Sequence, residues 1–390
     1  MSLHDDDLIR LRIKEQRRLA GLTQQGLAAR IPYSYSLLNQ VECGARPATA
    51  DFCGAVARAL GVEVSVLTGR TGDSHTDPAI LAGVRLALDI YDIGPGAVVE
   101  TRPVEALSAE ADRLCQQVRA THLRKAAGAL PVLITELTFV VRNAPSTAAW
   151  QALGSGYRTA SDIALKLGYP DLSRIALDRM AWAAERASDP CLAAIRQYKR
   201  ALLYKTESDR SIGPRLIACG HQLLTGETSR EALAVAGQLH LGASALAARS
   251  GDQSAVDHHL SEARELARQV GGEAPEIHWL SFGDRNTDLH AFGAAVAMRQ
   301  YDDALNKARQ MKLAPSTVIS RRARFLVDRA RVEMETGRPE AALKHIATAR
   351  RIAPEQTRHH PGTRETITGL VHLSRRTPDT LGHMARWIGL

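Results

Sequence analysis

The stretch that decides the fold is residues 23–44, T-Q-Q-G-L-A-A-R-I-P-Y-S-Y-S-L-L-N-Q-V-E-C-G. Thr23 is a good N-cap for a short helix running through Arg30, in which Leu27, Ala28 and Ile31 are spaced to face a core. Pro32-Tyr33 forms a sharp turn. Ser34 then caps a second helix, Tyr35 to Glu42, with Leu38 and Val41 pointing inward, and Cys43-Gly44-Ala45-Arg46-Pro47 ends it.

Working outward, residues 8–20, LIRLRIKEQRRLA, place Ile9, Ile13 and Leu19 on an apolar stripe with basic residues on the other faces. Gly21 ends that helix as a left-handed cap. Downstream, Phe52, Val56 and Leu60 mark a further amphipathic helix stopped by Gly61, and Val62 to Leu67 begin another. Five short helices thus fill the first seventy residues. The chain as a whole carries a net charge of +8. Between Arg10 and Arg58 eight basic residues stand against three acidic ones, a surplus of five, so over half of the excess lies in this small N-terminal part. Such placement fits a polyanionic partner better than the overall charge does.

Residues 23–44 resemble the XRE family, the repressor and Cro type of helix-turn-helix, whose pattern T-Q-x-x-L-A, turn, capping Ser or Thr, I-x-x-hydrophobic-E-x-G fits here without a gap. The A-R-A-L-G-V and Leu-Thr-Gly that follow match as well. The resemblance implies a DNA reader whose recognition helix enters the major groove by its N-terminal end. In that register Tyr35 and Ser36 reach the groove first, with Asn39 and Gln40 one turn later on the same face. The amides of Asn39 and Gln40 suit adenine N6 and N7, and Tyr35 suits a thymine methyl or a phosphate. Gln24 resembles the family glutamine that sits on a phosphate, and Arg46 is a further phosphate candidate. Arg17 and Glu42 occupy positions where the family forms an internal ion pair locking the first helix to the third. Pro32 departs from the pattern, which has glycine there. Proline cannot take a positive φ, so the turn must be built another way.

From Ala79 onward the sequence is nearly continuous helix-period pattern, interrupted near Gly94-Pro95-Gly96, Asn143-Ala-Pro145, Asp189-Pro190, Gly213-Pro214, Gly251-Asp252, Gly271-Gly272, Ala314-Pro315 and Gly337-Arg338-Pro339. The polar run from Arg70 to Pro78 reads as a linker. Ala330, Gly337, Ala342, Ile346, Ala349 and Pro354 fall where a tetratricopeptide repeat needs small residues, a turn, an apolar residue and a proline. Trp150-x-x-Leu153-Gly154-x-x-Tyr157 matches the first-helix signature of that repeat, with a second helix at about 171–187 in a unit longer than usual. Residues 235–268 and 285–312 fit more loosely. The expectation is therefore an all-α chain: a five-helix helix-turn-helix domain over 1–69, a linker over 70–78, and a tetratricopeptide-like α-solenoid over 79–390.

The combination also resembles a group of actinobacterial XRE regulators. Their C-terminal motifs here read Phe282-Gly283-Asp284-Arg285-Asn286 with His290, Arg321-Arg322-Ala323-Arg324 with Asp328, and Ala353-Pro354-Glu355 with Arg358, His360 and Pro361. By architecture alone the plan is similar to that of peptide-responsive quorum regulators. Applying the repeat register, Gln151, Arg158, Gln238, Asn286, Arg324 and Arg331 are the polar positions of the inner surface, suited to a peptide backbone or a ligand carboxylate. The expected partners are a double-stranded DNA operator, a second copy of the chain, and a peptide or small-molecule ligand.

Other classes find less support. Aromatic residues are only 4% of the chain, and its apolar positions are mostly Ala and Leu, against a β-sandwich. No apolar run approaches the ~18–20 residues of a membrane span, and MSLHDDD lacks an apolar signal region, which fits a cytoplasmic protein. The five cysteines are scattered, without a C-x-x-C pair. No phosphate-binding loop or nucleophile elbow occurs, so no enzymatic activity or cofactor is expected. His258-His259 and His359-His360 are adjacent in sequence and diverge on a helix, so they read as solvated surface histidines and no metal site is expected. The rival reading is a helical-repeat scaffold for a partner protein, with the N-terminal unit as a docking module.

Overall fold

The computed structural model describes residues 3–62, 64–68, 78–96, 100–204, 211–311, 313, 317–373 and 379–390. Nearly all of the expected linker, 70–77, and the break at Ala314-Pro315 lie outside these residues. The described chain is all-α, and its one β-type pairing is an isolated antiparallel bridge between Ala274 and Phe282.

Five helices come first: α1 (Leu3–Leu19), α2 (Gln24–Ala28), α3 (Tyr35–Glu42), α4 (Ala50–Leu60) and α5 (Val64–Thr68). They enclose a core of Ile9, Ile13, Leu27, Leu38, Val41, Phe52, Val56 and Leu67. Helix α1 closes on Gly21 at φ 68°, where the Gly21 and Leu22 N–H groups donate to the Arg18 and Arg17 carbonyls. This is the Schellman arrangement, and a side chain there would strain the backbone. Leu19 does not join the core stripe. Six residues beyond Ile13 it lies about 120° round the helix. It packs instead against a cluster at the far end of the chain that contains Ile367, Leu370, Leu381 and Met384.

The remainder is a helical repeat-like array. Helices α6 (Ala82–Asp89), α7 (Val104–Arg119) and α8 (Leu123–Asn143) open it. Pairs follow: α9 (Thr147–Lys166) with α10 (Pro170–Ala187), α11 (Pro190–Ala201) with α12 (Ile212–Leu223), and α13 (Arg230–Ser250) with α14 (Gln253–Val270). Next come α15 (Asp284–Ala297) with α16 (Tyr301–Gln310), and α17 (Ile319–Glu335) with α18 (Pro339–Ile352). Helices α19 (Pro354–His359), α20 (Pro361–Leu373) and α21 (Asp379–Trp387) end the chain. The first members α9, α11, α13, α15 and α17 each touch the next, which makes one wall of the array. Helix α7 also reaches α17, so the array curls back on itself.

Contrary to the expectation that no apolar run approaches a membrane span, helix α8 is long and apolar enough to cross a membrane by length and composition, even with Pro131 and Glu136 within it. In the fold 56% of its apolar window is buried inside the protein, between α7, α9 and α6. That is the environment of a core helix.

Small residues set how closely the elements approach. A Cβ added to Gly237 of α13 would lie 2.0 Å from Cζ of Phe282, a side chain with no exposed surface. Gly237→Ala is therefore expected to destabilise the array by about 1–3 kcal/mol, the usual range for overpacking a filled core. A lowered midpoint in thermal denaturation would register this, and an unchanged midpoint would mean that Phe282 has somewhere else to go.

Candidate nucleic-acid interface

The reading unit is assembled by caps and one buried charge pair. Thr23 Oγ1 accepts from the Gly26 N–H at 3.0 Å, and Ser34 Oγ accepts from the Leu37 N–H at 3.3 Å, so each of the two helices starts on its own hydroxyl. Between them the Arg30 N–H donates to the Leu27 carbonyl and the Ile31 N–H to the Ala28 carbonyl. No residue from 29 to 33 has a positive φ, which is how Pro32 is accommodated where the family pattern has glycine. Tyr33 packs its ring on Phe52 at 5.1 Å and holds the turn against the core.

Arg17 of α1 and Glu42 of α3 form a two-pronged pair, Nε to Oε1 at 2.6 Å and Nη2 to Oε2 at 2.7 Å, with both side chains buried. Arg17 Nη1 also donates to the Leu22 carbonyl at 2.9 Å. Gln24 Nε2 donates to Glu42 Oε2 at 2.8 Å and to Asn39 Oδ1 at 3.4 Å, and the Tyr35 hydroxyl donates to Gln24 Oε1 at 3.5 Å. The side chain of Gln24 is thus engaged inside the protein, where it links the buried pair to the outward residues of α3. Tyr35, Ser36, Asn39 and Gln40 are exposed together on that outward face. Arg46 and Arg30 are exposed nearby, and the Arg10 side chain lies over Gly44 at the end of α3. The surface is polar, basic at its edges and uncovered by the array.

Residues 13–67 match the family model for a helix-turn-helix. This segment is an XRE-type DNA-binding domain, which makes the chain a DNA-binding regulator. No curated protein and no solved structure matches the chain.

The six inner-surface candidates of the array are not brought together. Gln238 and Asn286 are buried and bonded to each other, and Gln238 Nε2 also donates to the Tyr198 hydroxyl at 2.9 Å. Gln151 donates to Asp189 at 2.9 Å, while on α17 Arg324 donates to Asp328 at 2.7 Å and Arg331 to Glu365 at 3.1 Å, with Glu365 also acting on Arg324. Arg158 is 2% exposed and lies beneath the 277–283 segment, with Nη1 donating to the His278 carbonyl at 2.6 Å. Two residues the sequence did not single out join this region: Arg119 of α7 lies near Arg158, and Lys166, about two turns further along α9, lies near Arg119 and Arg321. They meet across separate helices, and no local pattern announces it.

His259 corrects the surface reading of the histidine pairs. Helices α12, α13 and α14 gather His221, His240 and His259, with ring centroids 4.5 Å apart for His221 and His240 and 5.3 Å for His240 and His259. Nδ1 of His240 and Nδ1 of His259 are 3.1 Å apart. These three rings line one end of a cavity of about 400 Å³, otherwise walled by residues such as Ile217, Ala243 and Leu246. His258 remains exposed. Burial, followed by the neighbouring His221, His259 and His258, pushes His240 down to about 3.

Two measurements follow. Arg17→Ala leaves the Glu42 carboxylate buried without its counter-charge and is expected to cost about 3–5 kcal/mol, whereas R17M/E42L together recovers most of that loss. Chemical denaturation followed by a signal of the N-terminal unit tests both. A histidine whose folded pKa lies below its unfolded value binds fewer protons folded than unfolded, so its contribution is complete above the unfolded pKa. Stability should fall as pH drops from about 6.5 toward 3, and H240F should flatten that slope in melting curves recorded across the range.

Proposed function

We propose that the protein is a sequence-specific transcriptional regulator of the cytoplasm that binds operator DNA as a homodimer and changes its DNA affinity when its helical array takes a ligand. The observation that carries the reading is the outward face of α3, where Tyr35, Ser36, Asn39 and Gln40 stand exposed on a helix fixed from behind by the Arg17–Glu42 pair. Asn39 and Gln40 supply base contacts in the major groove. Tyr35, Ser36, Arg46 and the α2 end at Gln24 supply the contacts that set register.

The domain limits that suit this reading are 1–69 for the DNA reader, 70–78 for a linker and 79–390 for a tetratricopeptide-like array, of the kind found in actinobacterial XRE regulators. Two readers in a symmetric dimer would engage half-sites about one helical turn apart, ~34–36 Å. Leu86, Ile93 and Val132, each at least 60% exposed, are apolar surface of the array that a second copy would cover. The link between ligand and reader is α1. It carries Arg17, which holds α3, and two residues later Leu19, which packs on the C-terminal cluster. A ligand that prefers one arrangement of that cluster biases the position of α1 and hence of the reading helix.

Asn39→Ala with Gln40→Ala is expected to cost about 1–3 kcal/mol of operator binding per good base contact and to relax sequence preference. Operator fragments captured from the genome of the source organism provide the target, and binding titrations at several salt concentrations provide the affinity. Arg46→Ala should weaken all sequences alike and reduce the salt slope by about 1. A chain that shows no saturable, salt-dependent DNA binding is instead a scaffold whose N-terminal unit docks a protein.

A further inference from the structure

Four consecutive residues of the segment between α14 and α15 collect three arginines from three different helices. Arg158 of α9 donates to the His278 carbonyl at 2.6 Å, Arg321 of α17 to the Leu280 carbonyl at 3.4 Å, and Arg119 of α7 to the Ser281 hydroxyl at 2.9 Å. All three acceptors are neutral. The remaining bonds of Arg158 go to Ser155 Oγ and Cys115 Sγ, also neutral, and the Nε atoms of Arg119 and Arg158 are buried with no acceptor. A guanidinium with so little contact with water is normally matched by a carboxylate, because burying an unpaired charge is costly.

The carboxylates nearby are committed elsewhere. Asp162 accepts from Lys199 at 2.6 Å and acts only at longer range on Arg158, Arg119 and Lys166, a single carboxylate among these cations. Asp112 accepts from the Trp279 indole at 2.8 Å, and Glu231 bonds His278 at 2.5 Å. Glu355 accepts the Arg124 backbone N–H. Among the described residues none of them forms an ion pair with Arg119, Arg158 or Arg321. Lys166 adds a fourth cation and finds only the amide oxygen of Gln356. It keeps some contact with water, yet burial lowers its pKa to about 7, with Arg321, Lys199 and Arg119 adding to the fall against the opposing pull of Asp162. The curl of the array, in which α7 meets α17, is what concentrates these charges.

The segment that supplies the neutral acceptors is itself held in an unfavourable backbone. His278, Trp279 and Ser281 have φ of 43°, 53° and 58°, the left-handed region that residues other than glycine seldom occupy. Its carbonyls stand where the oxygens of an acidic group would complete the arginines.

We propose that this cluster of cations binds a small, multiply charged oxyanion, a carboxylate or phosphate compound, whose oxygens replace the carbonyls of His278 and Leu280 on Arg158 and Arg321. Arg119 and Lys166 supply the further positive charge. The planar, two-pronged geometry of arginine is suited to both kinds of oxyanion. Release of residues 278–281 from the arginines relieves their backbone strain and frees the Trp279 indole from Asp112. Any consequence for DNA rests on the ligand-gated reading above, whereas the binding itself does not.

The test uses the full chain with pyrophosphate and with citrate, at matched ionic strength, read by calorimetry and by tryptophan fluorescence corrected with W279F. Saturable binding of either probe, accompanied by a change in the Trp279 signal, is the expected result, and which probe binds tells phosphate from carboxylate. Arg321→Gln, at a half-buried position, and Arg158→Gln, at a buried one, should each weaken that binding about ten- to hundredfold, the loss of one charge-assisted hydrogen-bonded contact, with thermal denaturation of each variant recording whether it is folded. No saturable binding of either probe overturns the proposal. So does binding that Arg321→Gln leaves unchanged, since the anion would then sit elsewhere, for example on the basic N-terminal surface. Operator affinity measured on the same samples keeps the two readings apart: intact DNA binding with no anion binding removes this proposal alone.

Discussion

The buried pair between Arg17 and Glu42 is the interaction on which the DNA-reading geometry depends. Helix α3 has eight residues and α2 five, too short to hold their orientation by helix propensity. A guanidinium and a carboxylate meeting through two parallel hydrogen bonds fix angle as well as distance. Glu42 also takes the amide of Gln24, and Gln24 in turn bonds Asn39 and Tyr35. The outward face of α3 is therefore positioned by a chain of hydrogen bonds that begins in the core. Such a network specifies one arrangement because any slip leaves a buried charge unmatched.

The same last turn of α1 that holds α3 through Arg17 also packs on the last helices of the chain through Leu19. Leu19 does not belong to the N-terminal core because it falls off the stripe of Ile9 and Ile13. The apolar surface it needs comes from residues more than three hundred positions away in sequence. One rigid element thus touches both the reader and the array. In a repeat architecture each unit packs mainly on its neighbours, so a change within one unit passes along the stack. Here the stack also curls until α7 meets α17, which brings residues of distant units together.

Much of the architecture was legible in the sequence because it rests on local chemistry. Thr23, Ser34 and Gly21 mark helix ends through their own hydroxyls and backbone freedom. The Gly251-Asp252 break falls between α13 and α14, and the small-residue pattern at 323–354 lies on the pair α17 and α18. The helix-period pattern after Ala79 reflects the need of each helix to bury one face. The inner-surface residues were less legible. A repeat register states which face a position occupies, and it says nothing about whether another segment covers that face. Residues 277–283 do cover Arg158, and Gln238 and Asn286 are buried in the interior with one bond between them.

What the sequence determined by itself is the order and type of the elements and the helix-turn-helix near the start of the chain, because caps, turns and apolar spacing act over a few residues and carry their own signals. Only the tertiary structure decided which side chains share a neighbourhood: three histidines around one cavity, three arginines on one strained segment, and Leu19 on the far end of the chain. Those meetings depend on how long helices stack and curl, a sum of many packing contacts with no signature at any single position.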